Sequence, residues 1–241
     1  MSVTIPTWAQ NPSETSSKRI NLAYVSYPPY YASDLPHGGP ISQIIEEAFE
    51  RAGYSVSREE LPWARAFEWT REGEYDALYT AWYREERKEH FAFSEPLPAN
   101  EIVFFAHRDL ARDYNGPESL NNKVLGVVRG YALPAKLSLA SLSVQRVTSD
   151  QQNIEKLVRG YIDVTIIDRA LAKYLMRQFA PSKIDLYQAL NPPLEIENQH
   201  LIFSRKAENY AAKLASFNAA YLQLKAEGRV SQLLKEHGLD E

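Results

Sequence analysis

The 241-residue chain contains no cysteine. Disulfide bridges, thiolate metal sites and a cysteine nucleophile are therefore excluded. No apolar run approaches the roughly 20 residues that a helix needs to cross a bilayer. With 27 basic residues against 31 acidic ones and a formal net charge of −4, the chain has no positive surplus to neutralise phosphates, which argues against a nucleic-acid partner.

Sequence motifs of common enzymes are also missing. The chain has no G-x-x-x-x-G-K-[ST] phosphate loop, no strand-linked G-x-G-x-x-G and no G-x-S-x-G. Its five histidines are scattered without the spacing of metal ligands. Adjacent carboxylates such as Glu46 and Glu47 do not share a helix face, so we expect them to be solvated. The sequence predicts no catalytic residue, no metal site and no cofactor.

The composition is that of an ordinary soluble globular protein, with 24% charged and 44% apolar residues. A chain of this length can form two lobes of roughly 100 residues each. A Gly-x-x-Asp turn that follows a predicted helix and precedes a buried strand occurs twice, at Gly73 to Asp76 and at Gly160 to Asp163. This repetition indicates two lobes of similar α/β organisation.

The stretch 73–96 carries the most distinctive pattern. Its apolar and aromatic run from Ala77 to Tyr83 predicts a buried strand. The charged block at 84–88 predicts a helical turn just outside the carboxyl end of that strand. In open α/β sheets ligands bind at this edge, and an arginine there can hold a carboxylate through two parallel hydrogen bonds.

The order Gly-x-x-Asp, short apolar strand, x-x-Glu-Arg and Phe-Ser-x-Pro resembles the family 3 periplasmic solute-binding proteins of polar amino-acid ABC transporters. The resemblance extends over about residues 20–239. It implies an α/β fold of the type II periplasmic-binding-protein class, with two α/β lobes joined by two hinge crossings. The implied segments are a flexible lead-in at 1–18, lobe 1 at 19–107, lobe 2 at 108–197, and a return to lobe 1 at 198–241.

The resemblance also implies roles for residues in a cleft between the lobes. Arg87 would hold the α-carboxylate of an amino acid, and Asp168 would take its α-ammonium group. The departures from the family pattern are Trp82 and Arg84, where small or hydroxyl residues are more common, so the pocket is narrowed or favours a flat or cationic ligand. The other expected contacts are main-chain carbonyls near Thr80, N–H groups near Tyr131 and Ala132, and the rings of Tyr27, Trp63 and Trp82.

Several of these positions have a second explanation. Asp168 precedes a predicted helix, where aspartate commonly caps the N-terminus. Arg129, beside a glycine turn, can add charge to an anion site or lie on the surface, and Arg65 can face the cleft or the solvent. Each of the three tyrosines that follow the first strand can stack on a ligand or pack within its loop, and the resemblance favours Tyr27.

We therefore expect a monomeric, non-enzymatic, ligand-binding component of an ABC-type uptake system, with a membrane permease as partner. It would capture a small amino acid or related polar zwitterion by hinge closure. Two other functions on this fold stay open, a prephenate/arogenate dehydratase-like enzyme and a sensory ligand-binding module. The N-terminus lacks the basic start and apolar core of a signal peptide, so we expect a periplasmic protein whose export signal was removed; a cytoplasmic binding protein is the alternative.

Overall fold

The computed structural model describes residues 18–129 and 142–239. Within these ranges, no helix is both long enough and apolar enough to pass through a bilayer. Short 3-10 turns occur at Pro36–Gly38, Glu85–Glu89, Pro117–Leu120 and Pro181–Leu186. The strands are β1 (Lys18–Tyr24), β2 (Tyr54–Glu60), β3 (Ala77–Trp82), β4 (Phe91–Phe93), β5 (Leu97–His107), β6 (Val124–Val128), β7 (Ser143–Val147), β8 (Val164–Asp168), β9 (Tyr187–Ala189) and β10 (Glu195–Ser204). The helices are α1 (Pro40–Arg51), α2 (Trp63–Glu72), α3 (Arg108–Arg112), α4 (Asp150–Val158), α5 (Arg169–Phe179), α6 (Tyr210–Ala226) and α7 (Arg229–Glu236).

Lobe 1 is built on the parallel strands β2, β1 and β3, which β10 continues in the antiparallel direction. Helix α1 begins at Pro40, where the missing N–H of proline costs no helical hydrogen bond. Its apolar residues recur at helical spacing, and Ile41, Ile45 and Phe49 are fully buried. Phe49 packs against Phe217 of α6 with ring centroids 5.0 Å apart. Burying a side chain of this size contributes about 1.5–3 kcal/mol, so α1 and α6 form the lobe's main core with the sheet.

Lobe 2 carries the strand order β5, β8, β6, β7, with β6 parallel to both of its neighbours. Helices α4 and α5 cover this sheet with buried residues that include Ile154, Leu157 and Met176. Helix α4 approaches β6 closely at Gly126, where an added Cβ would lie 2.5 Å from the Oδ1 atom of Asn153. The glycine therefore sets the distance between helix and sheet.

Two strands cross between the lobes. β5 and β10 pair in the antiparallel direction, with Ile102 opposite Glu195 and Leu97 opposite Gln199. The pairing is irregular between Glu197 and Gln199. The described strands thus form one continuous sheet path in which β5 and β10 join the two halves.

Several elements have boundaries that the sequence pattern alone does not set. Helix α2 begins at Trp63, because Pro62 serves as its N-cap. β5 begins at Leu97, since backbone pairing with β10 extends the strand without an apolar pattern. The proline-containing stretch from Pro181 to Pro193 contains a 3-10 turn and β9, an edge strand paired with β5. The expected lead-in at 1–18 lies outside the described residues except for Lys18, which begins β1.

Candidate functional site

Asp168 lies at the carboxyl end of β8, and its side chain is buried, with the residue only 2% exposed. Its Oδ1 atom accepts a hydrogen bond of 2.9 Å from the backbone N–H of Leu171. Asp168 therefore caps α5, as one of its two sequence explanations predicted. The same carboxylate accepts hydrogen bonds from the hydroxyl of Tyr30, at 2.9 and 3.1 Å, and from the Nδ2 atom of Asn100, at 3.2 Å.

The electrostatic state of Asp168 is set by its burial. Desolvation raises the pKa of this carboxyl above the usual 3.8, and the hydrogen bonds from Leu171, Tyr30 and Asn100 counteract the rise. Among the described residues no basic side chain forms a salt bridge with it, and the neighbouring Arg169 instead pairs with Glu101. A buried carboxylate without a cation is suited to receiving an ammonium group.

Arg87 lies on the 3-10 turn Glu85–Glu89 and is half-buried. Its Nη1 atom donates a hydrogen bond of 2.8 Å to the carbonyl of Trp82. The guanidinium lies 5.6 Å from the ring centroid of Trp63 and 5.7 Å from that of Phe67. Burial, assisted by the nearby charge of Arg84, lowers the pKa of Arg87. Within residues 18–129 and 142–239, no carboxylate forms a salt bridge with this guanidinium.

Trp82 and Asn100 connect these two charged groups. The Nε1 atom of Trp82 donates a hydrogen bond of 2.8 Å to the Oδ1 atom of Asn100, whose Nδ2 atom donates to Asp168. Trp82 also packs against the core of lobe 2, although it ends a strand of lobe 1. Arg87, Trp82, Asn100 and Asp168 therefore form one connected hydrogen-bonded group where the lobes meet.

Thr80 is buried on β3 at the same junction. Its hydroxyl shares a hydrogen bond of 2.8 Å with the hydroxyl of Tyr31 and donates to the Oε1 atom of Gln199. Gln199, in turn, donates to the carbonyl of Pro98 over 2.9 Å. The Thr80 side chain is thus engaged within the protein, and its expected role rests on main-chain carbonyls nearby.

The loop after β1 brings three tyrosines to the junction. Tyr27 stacks on Tyr30 with ring centroids 5.7 Å apart, and it packs against the cores of both lobes. Burial, with a smaller effect of the Asp168 charge, raises the pKa of Tyr27 well above its usual value. Tyr30, which sequence reasoning did not single out, is the tyrosine that contacts Asp168. The Tyr-Pro-Pro-Tyr-Tyr segment indicated the loop, but it did not indicate which of the three rings would contact Asp168.

The remaining expected site residues lie in different environments. Trp63 is 40% exposed and packs on Phe67, with ring centroids 5.7 Å apart, beside Arg87. Arg65 is exposed and stacks over Trp69 at 5.3 Å, on the solvent side of α2. Arg129 is exposed, whereas Tyr131 and Ala132 lie outside the described residues.

Arg84 has a partner of its own. Its Nη2 atom lies 3.1 Å from the Oε1 atom of Glu197 on the crossing strand β10, and its guanidinium lies 5.5 Å from the ring centroid of Trp82. Arg84 therefore neutralises Glu197, whereas Arg87 has no carboxylate partner among the described residues. In the described part of the chain, no group of three or more acidic, histidine or cysteine side chains is arranged to hold a metal ion.

A model of the bacterial extracellular solute-binding proteins, family 3, matches residues 21–240. Among solved structures, a histidine kinase sensor domain with similarity to periplasmic binding proteins is 18% identical, with a TM-score of 0.73 over 91% of this chain and 96% of that one. The amino acid ABC transporter substrate-binding protein AbpA of Streptococcus pneumoniae, bound to L-arginine, is 15% identical, with a TM-score of 0.71 over 92% and 95%.

An ABC uptake transporter substrate-binding protein from Streptococcus pneumoniae with bound histidine is 19% identical, with a TM-score of 0.71 over 92% of each chain. No curated protein sequence matches the chain. At these identities the structural likeness concerns the fold alone, and it agrees with the two-lobed α/β arrangement described above.

Proposed function

Because the chain belongs to the bacterial extracellular solute-binding proteins of family 3, we propose that it captures a small amino acid or related polar zwitterion between its two lobes, without catalysing a reaction. One observation carries this proposal. Arg87 and Asp168 bear opposite charges, belong to one hydrogen-bonded group and form no ion pair within the described chain. An α-amino acid offers the complementary pair of charges on a single carbon atom.

The energetics favour binding by closure. A hydrogen bond to a charged group contributes about 1.5–3 kcal/mol, so one contact at each charge stabilises the closed arrangement appreciably. The carboxylate contact comes from lobe 1 and the ammonium contact from lobe 2. A ligand that bridges them interacts better with the closed state than with an open one, which is the condition for a ligand-driven closure.

The part of the site that would surround the ligand's side chain is aromatic. Trp63 and Phe67 flank Arg87, while Trp82 lies between Arg84 and the lobe 2 core. These rings favour a flat or cationic ligand side chain, for which a cation–π contact contributes about 0.5–2 kcal/mol. We include Arg129 and the N–H groups near Tyr131 and Ala132 in this proposal as further donors to the ligand carboxylate.

In this reading the protein works outside the cytoplasmic membrane as a monomer and delivers its ligand to an ABC permease. A sensory role is the second candidate, because one of the matching structures is a histidine kinase sensor domain. Both roles use the same closure on a ligand and differ in the partner that recognises the closed form.

The test is calorimetric titration of the purified protein with a panel of amino acids, preceded by native mass spectrometry to identify any co-purified ligand. We expect Arg87→Ala to weaken the binding of the best amino acid by about tenfold or more, since a charged hydrogen-bonding partner is lost. Arg65→Ala is the matched control, because Arg65 is an exposed arginine of the same lobe that stacks on Trp69. Unchanged affinity in Arg87→Ala would remove Arg87 from the site, and a panel without any binder would refute the proposed function.

A further inference from the structure

A hydrogen bond joins the lobes directly. Tyr30 follows β1 in lobe 1 and Asp168 ends β8 in lobe 2, and 138 positions separate them in the chain. Both residues are buried, with exposed fractions of 6% and 2%. The Tyr30 hydroxyl lies within hydrogen-bonding distance of both carboxylate oxygens. It therefore occupies the side of Asp168 that faces lobe 1.

The carboxylate has little capacity left for another donor. An ionised carboxylate offers about four acceptor positions. Three donors use these positions: the Leu171 N–H at Oδ1, the Asn100 amide at Oδ2, and the Tyr30 hydroxyl, whose one proton lies within reach of both oxygens. An ammonium group that approaches Asp168 from the side of lobe 1 therefore competes with the Tyr30 hydroxyl, which lies close to both oxygens there.

Tyr30 is the donor that can be displaced. The Leu171 N–H belongs to the first turn of α5 and is fixed by the helix. The Asn100 amide is held from its other side by the indole of Trp82, on a crossing strand. Tyr30 alone among the three reaches Asp168 from the opposite lobe, on a loop.

We propose that Tyr30 is a specificity-determining residue whose hydroxyl competes with the ammonium group of an amino acid for Asp168. This inference rests on the proposed function, because it assigns the competitor at the same site. A fully charged ammonium forms stronger hydrogen bonds to a carboxylate than a phenol does, so it can take the place of Tyr30. A carboxylic acid without an amino group leaves the contact between Tyr30 and Asp168 intact. Tyr30 thus reduces the difference in affinity between an amino acid and its deaminated analogue.

The experiment compares two matched pairs of probes by calorimetry: L-phenylalanine with hydrocinnamate, and L-arginine with delta-guanidinovalerate. In Tyr30→Phe the affinity ratio of amino acid to deaminated acid is expected to rise by about tenfold for each pair that binds, the effect of losing one hydrogen bond to a charged group. In Asp168→Asn the ratio is expected to fall. Tyr221→Phe is the control, because it also removes a buried tyrosine hydroxyl. That hydroxyl donates a hydrogen bond of 3.0 Å to the carbonyl of Pro96 and not to Asp168. An unchanged ratio in Tyr30→Phe would overturn the competition.

A second measurement needs no ligand. Since the chain has no cysteine, the exposed pair Glu50→Cys and Arg177→Cys places one spin label on each lobe. Loss of the Tyr30 hydroxyl is expected to shift the label distances of the free protein toward longer values. Identical distributions with and without Tyr30→Phe would overturn the contact between the lobes, whereas failure of every probe to bind would refute the proposed function instead.

Discussion

Asn100 and Asp168 share a hydrogen bond of 3.2 Å across 68 positions of the chain. The amide of Asn100 also accepts the indole hydrogen bond of Trp82, so one side chain holds groups from both lobes. Asn100 itself lies on β5, opposite Glu197 of β10, and is 1% exposed. It fixes the carboxylate of lobe 2 relative to the hinge.

We expect Asn100→Ala to lower the free energy of unfolding by about 1–3 kcal/mol, because it leaves buried partners on Trp82 and Asp168 without their hydrogen bonds. Urea denaturation followed by circular dichroism measures the change. Gln232→Ala, which removes an exposed amide bonded to Glu236, is the control and should stay within about 0.5 kcal/mol. Equal effects of the two substitutions would contradict the role given to Asn100.

The raised pKa of Asp168 predicts how stability depends on pH. Burial is the main cause of the rise above 3.8. A carboxyl whose pKa is higher in the folded state stabilises the protein fully below its unfolded pKa, and this contribution is lost as the pH rises through the folded pKa. The ligand-free protein should therefore lose this part of its stability as the pH increases from about 3.8 through the raised pKa. Denaturation series at several pH values should show the effect in the wild type and not in Asp168→Asn.

Affinity for an amino acid should change in the opposite direction over the same pH range. In the proposed site the ammonium group of the ligand would bind the ionised form of Asp168, so deprotonation of the carboxyl should strengthen binding. Calorimetry with the best amino acid of the panel, at the same pH values, measures this trend. A decline in affinity as the pH rises through this range would exclude Asp168 as the ammonium site.

Intrinsic fluorescence should locate ligand binding at Trp82. Its indole is hydrogen-bonded to Asn100 and lies at the junction of the lobes, so the proposed closure on a ligand would change its surroundings. Trp82→Phe should remove most of the fluorescence change seen on titration with an amino acid. Trp69→Phe should leave that change in place, because Trp69 is 42% exposed and stacks with Arg65 on the solvent side of α2. A full change in Trp82→Phe would place the responding tryptophan elsewhere.

The contact of α4 with β6 offers a test of packing in lobe 2. A Cβ on Gly126 would lie 2.5 Å from the Oδ1 atom of Asn153 and from the Cδ1 atom of Ile162. Gly126→Ala should therefore cost about 1–3 kcal/mol through overpacking. Asn153 is fully buried, and neither polar atom of its amide has a hydrogen-bond partner in the part of the chain that the structure describes. Asn153→Ala removes this unsatisfied amide, and the gain in stability offsets part of the stability lost with the packing contacts of the side chain.

The double variant Gly126→Ala with Asn153→Ala should be more stable than the sum of the single effects predicts. Residues in direct contact typically show interaction energies of about 0.5–3 kcal/mol. Thermal and urea unfolding of the wild type, the two single variants and the double variant measure this interaction energy. Strict additivity would show that Asn153 is not what limits the space at Gly126.

The sequence predicted the elements whose periodicity or turn residues are strong. The two-lobed fold and the family resemblance are confirmed, and β3 and the cap at Asp168 lie within a residue of their predicted positions. These elements could be predicted because helical spacing and Gly-x-x-Asp turns are local signals.

Contacts between distant segments could not be predicted in the same way. Tyr30 lies beside two other tyrosines, and its partner Asp168 is 138 positions away. Asn100 and Gln199 are polar residues on crossing strands, and their burial depends on partners from other segments. A single sequence does not show which distant segments pair, so it does not distinguish a buried amide from an exposed one.

The pairing of β5 with β10 limits how the halves can move. Hydrogen bonds between antiparallel strands hold the two crossings in fixed register, from Leu97 and Gln199 to Ile102 and Glu195. Sliding one crossing along the other would break this ladder, whereas bending or twisting both together leaves it intact. The irregular step between Glu197 and Gln199 is the place where the ladder is already interrupted. This ladder thus permits rotation of the halves about a shared axis through the ribbon and opposes their translation past each other.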